Sequence, residues 1–266
     1  MFGGDIMKTK YPIILVHGIA LKEFKFLKSF GEIDRILKIQ GYTVYKATTD
    51  GFGSVENNAM QLKEQILKIL EEENVDKVNI IAHSKGGLDS KYMILNLGME
   101  ECVASLTTLC TPHKGSPIAT NILKLPKFLT KFIAFWINFW YKLFGDKHPD
   151  AYQACMDLKR VESLVEETVS FPSSVYCQSY STEMKKSKDD FVMGIPLMFS
   201  HYFEKDISSD GVVPIDSTFF GEYKGNAFNE SISHSEIVDF MVKKKKKDKI
   251  YMFYSALCED LVNKGF

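Results

Sequence analysis

An α/β fold with a mostly parallel central sheet is what this sequence predicts, and three features predict it. Short apolar runs alternate with helical stretches, glycines close the units, and neither an internal repeat nor a low-complexity linker interrupts the 266 residues. We therefore read residues 1–266 as a single domain, with 117–150 as an insertion inside it.

The elements follow in order. "YPIILVHG" is a continuous apolar run ending on Gly18, as expected of a parallel strand buried on both faces. "FGEIDRILKIQGYTVYKATTDGFGS" reads as a helix closed by Gly41, a strand around Tyr42 to Tyr45 and a Gly-rich loop. Ser54 can cap the next helix, in which Val55, Ala59, Leu62, Ile66 and Ile69 recur at helical spacing. "DKVNIIAHS" is a third strand, "KGGLDSKYMILNLG" a helix stopped by Gly98, and "VASLTTLCTPHKGS" a fourth strand. Units of this length call for right-handed crossovers.

From Ser116 to about Pro149 the pattern changes. "ILKLPKFLTKFIAFWINFWYKLFGDKHPD" is apolar around most of a helix, with Lys127, Lys131, Asn138 and Lys142 on one narrow polar stripe. A transmembrane span needs roughly 20 mainly apolar residues, and this stretch is shorter and interrupted by lysine. Two readings remain open, a helix buried in the core or a mobile cap that meets an apolar interface. Beyond Pro149 we expect a helix over "AYQACMDLKRVESLVEETVSFP", a strand over "SVYCQSYS", a strand breaking at "FEKDISSDGVVPIDS" and a helix opening at "HSEIVDFMV". The run Lys243 to Lys247 reads as a solvated turn before the last helix, with docking to an acidic partner or membrane as the alternative.

Composition removes several classes of function. A formal net charge of -1 gives no pull toward nucleic acid. Five cysteines without metal-type spacing argue against a zinc site or a disulfide framework. The first apolar run, Ile13 to Val16, is far short of a secretory signal core, so the sequence as written suggests a cytoplasmic protein, or a secreted one if its N-terminus was trimmed.

The chemistry concentrates in "NIIAHSKGGLDSKYM". A strand that breaks at Ala82-His83-Ser84-Lys85-Gly86 and resumes as a helix matches the nucleophile elbow, G-x-S-x-G, with alanine in its first glycine position. Small residues on either side of the serine let strand and helix backbones pass closely. Ser84 is thus the candidate nucleophile. The N–H of Lys85 at the helix start and that of Ile19 in the loop after the first strand are candidate oxyanion donors. A serine hydroxyl needs a base and a group that orients the base. On this fold the order along the chain is Ser, acid, His. Of His17, His83, His113, His148, His201 and His234, only His234 follows a suitable acid loop. Asp210 in "SSDGVVP" leads the candidates for that acid, with Asp216 and Asp206 as rivals.

"YPIILVHGI", "VNIIAHSKGGLDSKYM", "LTTLCTPHKGS", "SSDGVVP" and "ISHSEIVD" stand in this order from about Tyr11 to Asp239. With them the sequence resembles the bacterial triacylglycerol lipases of the true-lipase type, the family that includes the Pseudomonas and Proteus enzymes. The resemblance implies an α/β-hydrolase fold, an inserted helical lid and carboxylic ester hydrolysis without a cofactor for the chemistry. By motif it carries Ser84, Asp210 and His234 as the triad; His113 belongs to a matching motif, and we read it as a structural brace of the loop after the fourth strand. Segment 117–150 falls where such relatives keep the lid, whose Phe128, Phe132, Phe135, Trp136, Phe139 and Trp140 would bind lipid or acyl chain. Many relatives also hold a structural calcium; here Glu236 and Asp190, or Asp189, would be its carboxylates. The expected partner is a lipid or other ester, met transiently at an interface, with no nucleic acid and no transmembrane span. Alternatives are a short-chain esterase, thioesterase or acyltransferase on the same fold, and a non-catalytic relative that binds lipid or a partner.

Overall fold

The computed structural model describes residues 8–20, 28–159, 171–190, 192–203 and 208–266. Asp206 and the His201 side chain lie outside the described residues, as does the second half of the helix expected after Pro149. Six parallel strands form one sheet in the order β2-β1-β3-β4-β5-β6. They are β1 (Ile13–Val16), β2 (Val44–Lys46), β3 (Val78–His83), β4 (Val103–Leu109), β5 (Tyr176–Ser181) and β6 (Glu222–Asn226). The helices that matter below are α1 (Ile33–Ile39), α2 (Val55–Glu73), α3 (Lys85–Asn96), α4 (Pro117–Ile122), α5 (Lys127–Leu143), α6 (Ala151–Lys159), α7 (Gly194–Phe203) and α8 (Lys244–Asn263). The expected α/β-hydrolase architecture is present.

Successive strand residues point to opposite faces, and the core divides accordingly. Ile13, Leu15, Ile81 and Leu109 pack with α1 and α8 through Ile33, Leu37, Ile250, Tyr254 and Leu257. Ile14, Val16, Ile80, Ala82 and Leu106 pack on the other face with Ala59, Leu62, Ile66, Met93 and Ile94 of α2 and α3. The predicted stripe of α2 is buried throughout, and the Ser54 hydroxyl caps it by accepting from Asn57 N–H at 3.2 Å.

Four expectations change. β6 is a sixth strand whose exposed, polar sequence "EYKGN" offered no apolar run. No regular strand leads into Asp210 among the described residues; Ser209 only bridges Pro214. "SEIVD" makes one short 3-10 turn, Glu236–Val238, ended by Asp239 at φ 58°, and not a helix. Lys244 to Lys247 are the first turn of α8 and not a solvated turn, and Lys246 is buried.

α5 is not a core helix. Only Thr130 and Ala134 are buried, while Phe128, Phe132, Phe135 and Trp140 are 76%, 59%, 61% and 52% exposed. Its C-terminal end is strapped to the loop after β2: Asp146 accepts from the N–H groups of Gly51 and Phe52, and Asp50 accepts from those of Lys147 and His148. Among the described residues no helix is long and apolar enough to cross a membrane.

Candidate active site

β3 ends at His83 and α3 begins at Lys85, so the whole reversal falls on Ser84, at φ 53° and ψ -130°. A non-glycine residue in that region is strained and persists only where its surroundings hold it. Here Ser84 N–H donates to the Leu109 carbonyl at 2.9 Å, and Gly87 N–H donates to the Ser84 carbonyl at 3.0 Å. The glycines are steric necessities. A Cβ on Gly86 would stand 2.4 Å from the His17 carbonyl oxygen, and one on Gly87 would stand 2.2 Å from Thr111 Oγ1. Ala82 meets no such obstacle; it sits wholly buried between Val16 of β1 and Thr108 of β4.

The structure brings Ser84, His234 and Asp210 together from three distant segments. Ser84 Oγ lies 2.9 Å from His234 Nε2, and His234 Nδ1 lies 2.6 Å from Asp210 Oδ2. A carboxylate only accepts, so Nδ1–H donates to Asp210 and Nε2 is left to accept from the serine hydroxyl. Asp210 is fixed in turn. Its Oδ1 accepts from Val212 and Val213 N–H at 2.9 and 2.8 Å, while His234 N–H donates to its carbonyl at 2.9 Å. The rival Asp216 lies elsewhere, in the 3-10 turn Ile215–Thr218, lining a separate polar cavity.

The candidate oxyanion donors flank this cluster. Lys85 opens α3, where a backbone N–H has no partner within the helix. Gly18 touches the serine so closely that a Cβ there would lie 2.6 Å from Ser84 Cβ, and Ile19 follows directly into the cavity wall. The charged side chain of Lys85 stays out of the cavity. It turns back, 1% exposed, to donate to Asp89 at 2.7 Å, and Asn58 donates to the other carboxylate oxygen. Burial raises Asp89 to about 6 against the opposing pull of that ammonium.

His17 anchors the loop through Thr49 Oγ1 and the Gly18 carbonyl, and His113 stacks on Phe220 within reach of Thr108. Burial holds the imidazoles of His83 and His113 well below their ordinary range. Two participants carried no signal in the sequence. His83 donates through Nε2 to the His234 carbonyl at 2.9 Å and lays its ring against the His234 ring, so the histidine next to Ser84 braces His234. Cys110 sits behind Asp210, its thiol pushed well up by burial and near Thr182 Oγ1.

Ser84 and His234 open into an apolar cavity of about 600 Å³, walled by Ile19, Pro112, Tyr141, Phe144, Leu158, Met193 and Val213. A second apolar hollow of about 270 Å³ adjoins it beneath α5, lined by Ile133, Ala134 and Ile137. Phe128, Phe132, Phe135, Trp136, Phe139 and Trp140, expected to meet lipid or acyl chain, lie on the exposed side of α5. None of the six lines either cavity; the opposite face of the helix does, because small Ala134 and Thr130 let α5 approach the domain where the rings would not fit.

The expected calcium carboxylates do not form a cation site as they stand. Asp190 Oδ2 accepts from the hydroxyls of Ser233 and Ser235, and its Oδ1 from Val192 and Met193 N–H. Both oxygens of Glu236 accept from the Lys246 ammonium. Asp189 accepts from the Ser231 hydroxyl and Lys186 N–H. Among the described residues, Cys110, Asp210 and His234 are the one group with metal-ligand spacing, and there the carboxylate and imidazole already bond each other.

A parallel sheet carrying a hydroxyl, an imidazole and a carboxylate in hydrogen-bonded sequence at its strand ends is the arrangement of an α/β-hydrolase of the serine-nucleophile class. Comparison with known proteins narrows the class: the palmitoyl protein thioesterase family model matches residues 12–251, and the chain belongs to that family. Triacylglycerol lipase 2 of Saccharomyces cerevisiae is 28% identical over 252 residues, 88% of this chain and 73% of that protein. A triacylglycerol lipase of Pseudarthrobacter phenanthrenivorans is 34% identical over 179 residues, 62% of this chain and 55% of its own length. The chain thus spans about half of that bacterial relative. The crystal structure of Staphylococcus hyicus lipase superposes with a TM-score of 0.76 at 14% identity, covering 98% of this chain and 97% of that one, and so shares the fold.

Proposed function

We propose that this protein hydrolyses carboxylic esters of lipids, acylglycerols foremost, through an acyl-enzyme on Ser84. The observation that carries the reading is the 2.9 Å approach of Ser84 Oγ to His234 Nε2 at the floor of an apolar cavity. Ser84 Oγ attacks the ester carbonyl as its proton passes to Nε2. Asp210 keeps the imidazole in the accepting tautomer and stabilises the imidazolium. The oxyanion rests on the N–H groups of Lys85 and Ile19. Nε2–H then protonates the leaving alkoxide as the carbonyl re-forms. Water, deprotonated by the same imidazole, attacks the acyl carbonyl; a second tetrahedral collapse frees the acid and returns the proton to Ser84.

Segment 117–150 acts in this reading as the lid, and the aromatic face of α5 is what would rest on a lipid surface. Its rings are flanked by Lys127, Lys131 and Lys142. Membership of a family described by a thioesterase activity favours a second reading, cleavage of acyl thioesters by the same steps with a thiolate leaving group.

A fluorophosphonate probe should label the wild-type protein and fail on Ser84→Ala, whose kcat should fall by about four to six orders of magnitude. A panel of triacylglycerols, short p-nitrophenyl esters and palmitoyl thioesters then chooses between the readings. Absence of labelling in folded wild-type protein would remove the enzyme reading altogether.

A further inference from the structure

The lysines of α8 stand at the end of a helix where cations are least welcome. The positive end of the macrodipole disfavours them, and Lys243 to Lys247 carry no acidic neighbour in the first turn. Long charged side chains normally reach water, and Lys246 does not: it is 7% exposed. What holds it is the segment that carries the base. Lys246 Nζ donates to both oxygens of Glu236, at 2.8 and 2.6 Å, two residues beyond His234. Glu236 Oε2 also accepts from Ser233 N–H at 3.1 Å, on the other side of His234. Further along the same segment Lys247 pairs with Asp239 at 3.0 Å, and Tyr251 donates to the other oxygen of Asp239 at 2.8 Å. Ser233 and Ser235, the immediate neighbours of His234, both donate to Asp190, whose loop continues into the cavity wall at Val192 and Met193. The short turn that bears the base is therefore gripped from both sides by buried polar contacts, with one buried ammonium at its centre.

We propose that Lys246 is a positioning residue for His234: its ammonium is the built-in cation of the base-bearing turn, occupying the coordination of Glu236 that a divalent ion would need, so that hydrolysis runs without calcium. A buried carboxylate without a counter-charge is costly. Removing the ammonium leaves Glu236 to seek water, and that movement drags Ser233 N–H and with it the backbone of His234. Misplacement of a catalytic group by about 1 Å costs on the order of 100-fold in rate.

The proposal rests on the catalytic role given to His234, and the experiment keeps the two apart. Wild-type protein is first labelled with the fluorophosphonate; absence of labelling would count against the catalytic reading and not against Lys246 alone. With labelling established, wild-type kcat should be the same in EDTA and in millimolar calcium. Lys246→Met should lower kcat by about 10- to 100-fold, slow the labelling in parallel, and leave KM within about twofold, whereas Lys246→Arg should restore most of the rate. Loss of wild-type activity in EDTA with recovery on calcium would overturn the proposal, and so would an unchanged kcat in Lys246→Met. If Lys246→Met does not fold, Glu236→Gln against Lys246→Arg decides: a lower kcat in the first alone supports the proposal, and equal rates overturn it.

Discussion

Ser84, Asp210 and His234 are 5%, 1% and 8% exposed, while Phe128 and Phe135 of α5, on the segment that covers their cavity, are 76% and 61% exposed. The first region buries polar groups and the second displays apolar ones, and each inverts the ordinary partition of a globular protein. At the sheet's rim the inversion is compensated internally. Asp210 spends its oxygens on two N–H groups and an imidazole, His83 supports the His234 carbonyl, and Lys85 meets Asp89. On α5 nothing within the described chain compensates it. Apolar surface left in water forgoes roughly 25 cal/mol per Å², which an oil surface could supply. The polar groups of the rim are matched within the molecule, and the rings of α5 are left facing solvent.

The largest effect should come from breaking the rim's chemistry. Asp210→Asn should leave the fold intact and lower kcat by about 10⁴, because the imidazole would be held in the wrong tautomer. Ester hydrolysis alongside circular dichroism checks this, and near wild-type rates would remove the carboxylate from the machinery. Breaking the rim's internal compensation comes next. Asp89→Ala leaves the Lys85 ammonium buried and unpaired, at a cost of about 3–5 kcal/mol in urea unfolding. Phe128→Ser on the exposed face should stay within about 0.5 kcal/mol of wild type; comparable losses in the two variants would erase the distinction between the regions.

The smallest effect sharpens the role of the cap. Each aromatic ring that enters an apolar phase gains about 1.5–3 kcal/mol when fully buried. Joint replacement of Phe132, Trp136 and Phe139 by Ser should therefore lower hydrolysis of emulsified long-chain ester by about tenfold or more. Hydrolysis of a dissolved short ester should change by less than about twofold, since none of the three rings lines the cavity. Equal losses on both substrates would place the rings in the reaction itself.

Much of this molecule could be read from neighbours in the chain. The alternation of strand and helix, the stripe on α2 and its Ser54 cap, and the elbow with its paired glycines all obey rules of spacing. Steric demands within a few residues enforce those rules. Even the convergence of Ser84 with a late histidine followed from the Ser, acid, His order that this fold carries along its chain. Other features depended on which segments meet. Asp210 and Asp216 stand six residues apart; the sequence ranks Asp210 first, and the docking of the 233–239 turn is what brings it, and not Asp216, to His234. A helix apolar on most sides has no period to say which face turns inward; Thr130 and Ala134 decided it by being small enough to pack. A run of five lysines reads as surface because charge is normally solvated, yet Lys246 is held inside by a carboxylate ten residues earlier in the chain. Local sequence dictates local conformation because its energies act over a turn or two. The partners of buried charges and the orientation of an apolar face are set by desolvation and packing across the whole fold, and those sums exist only once the chain has closed on itself.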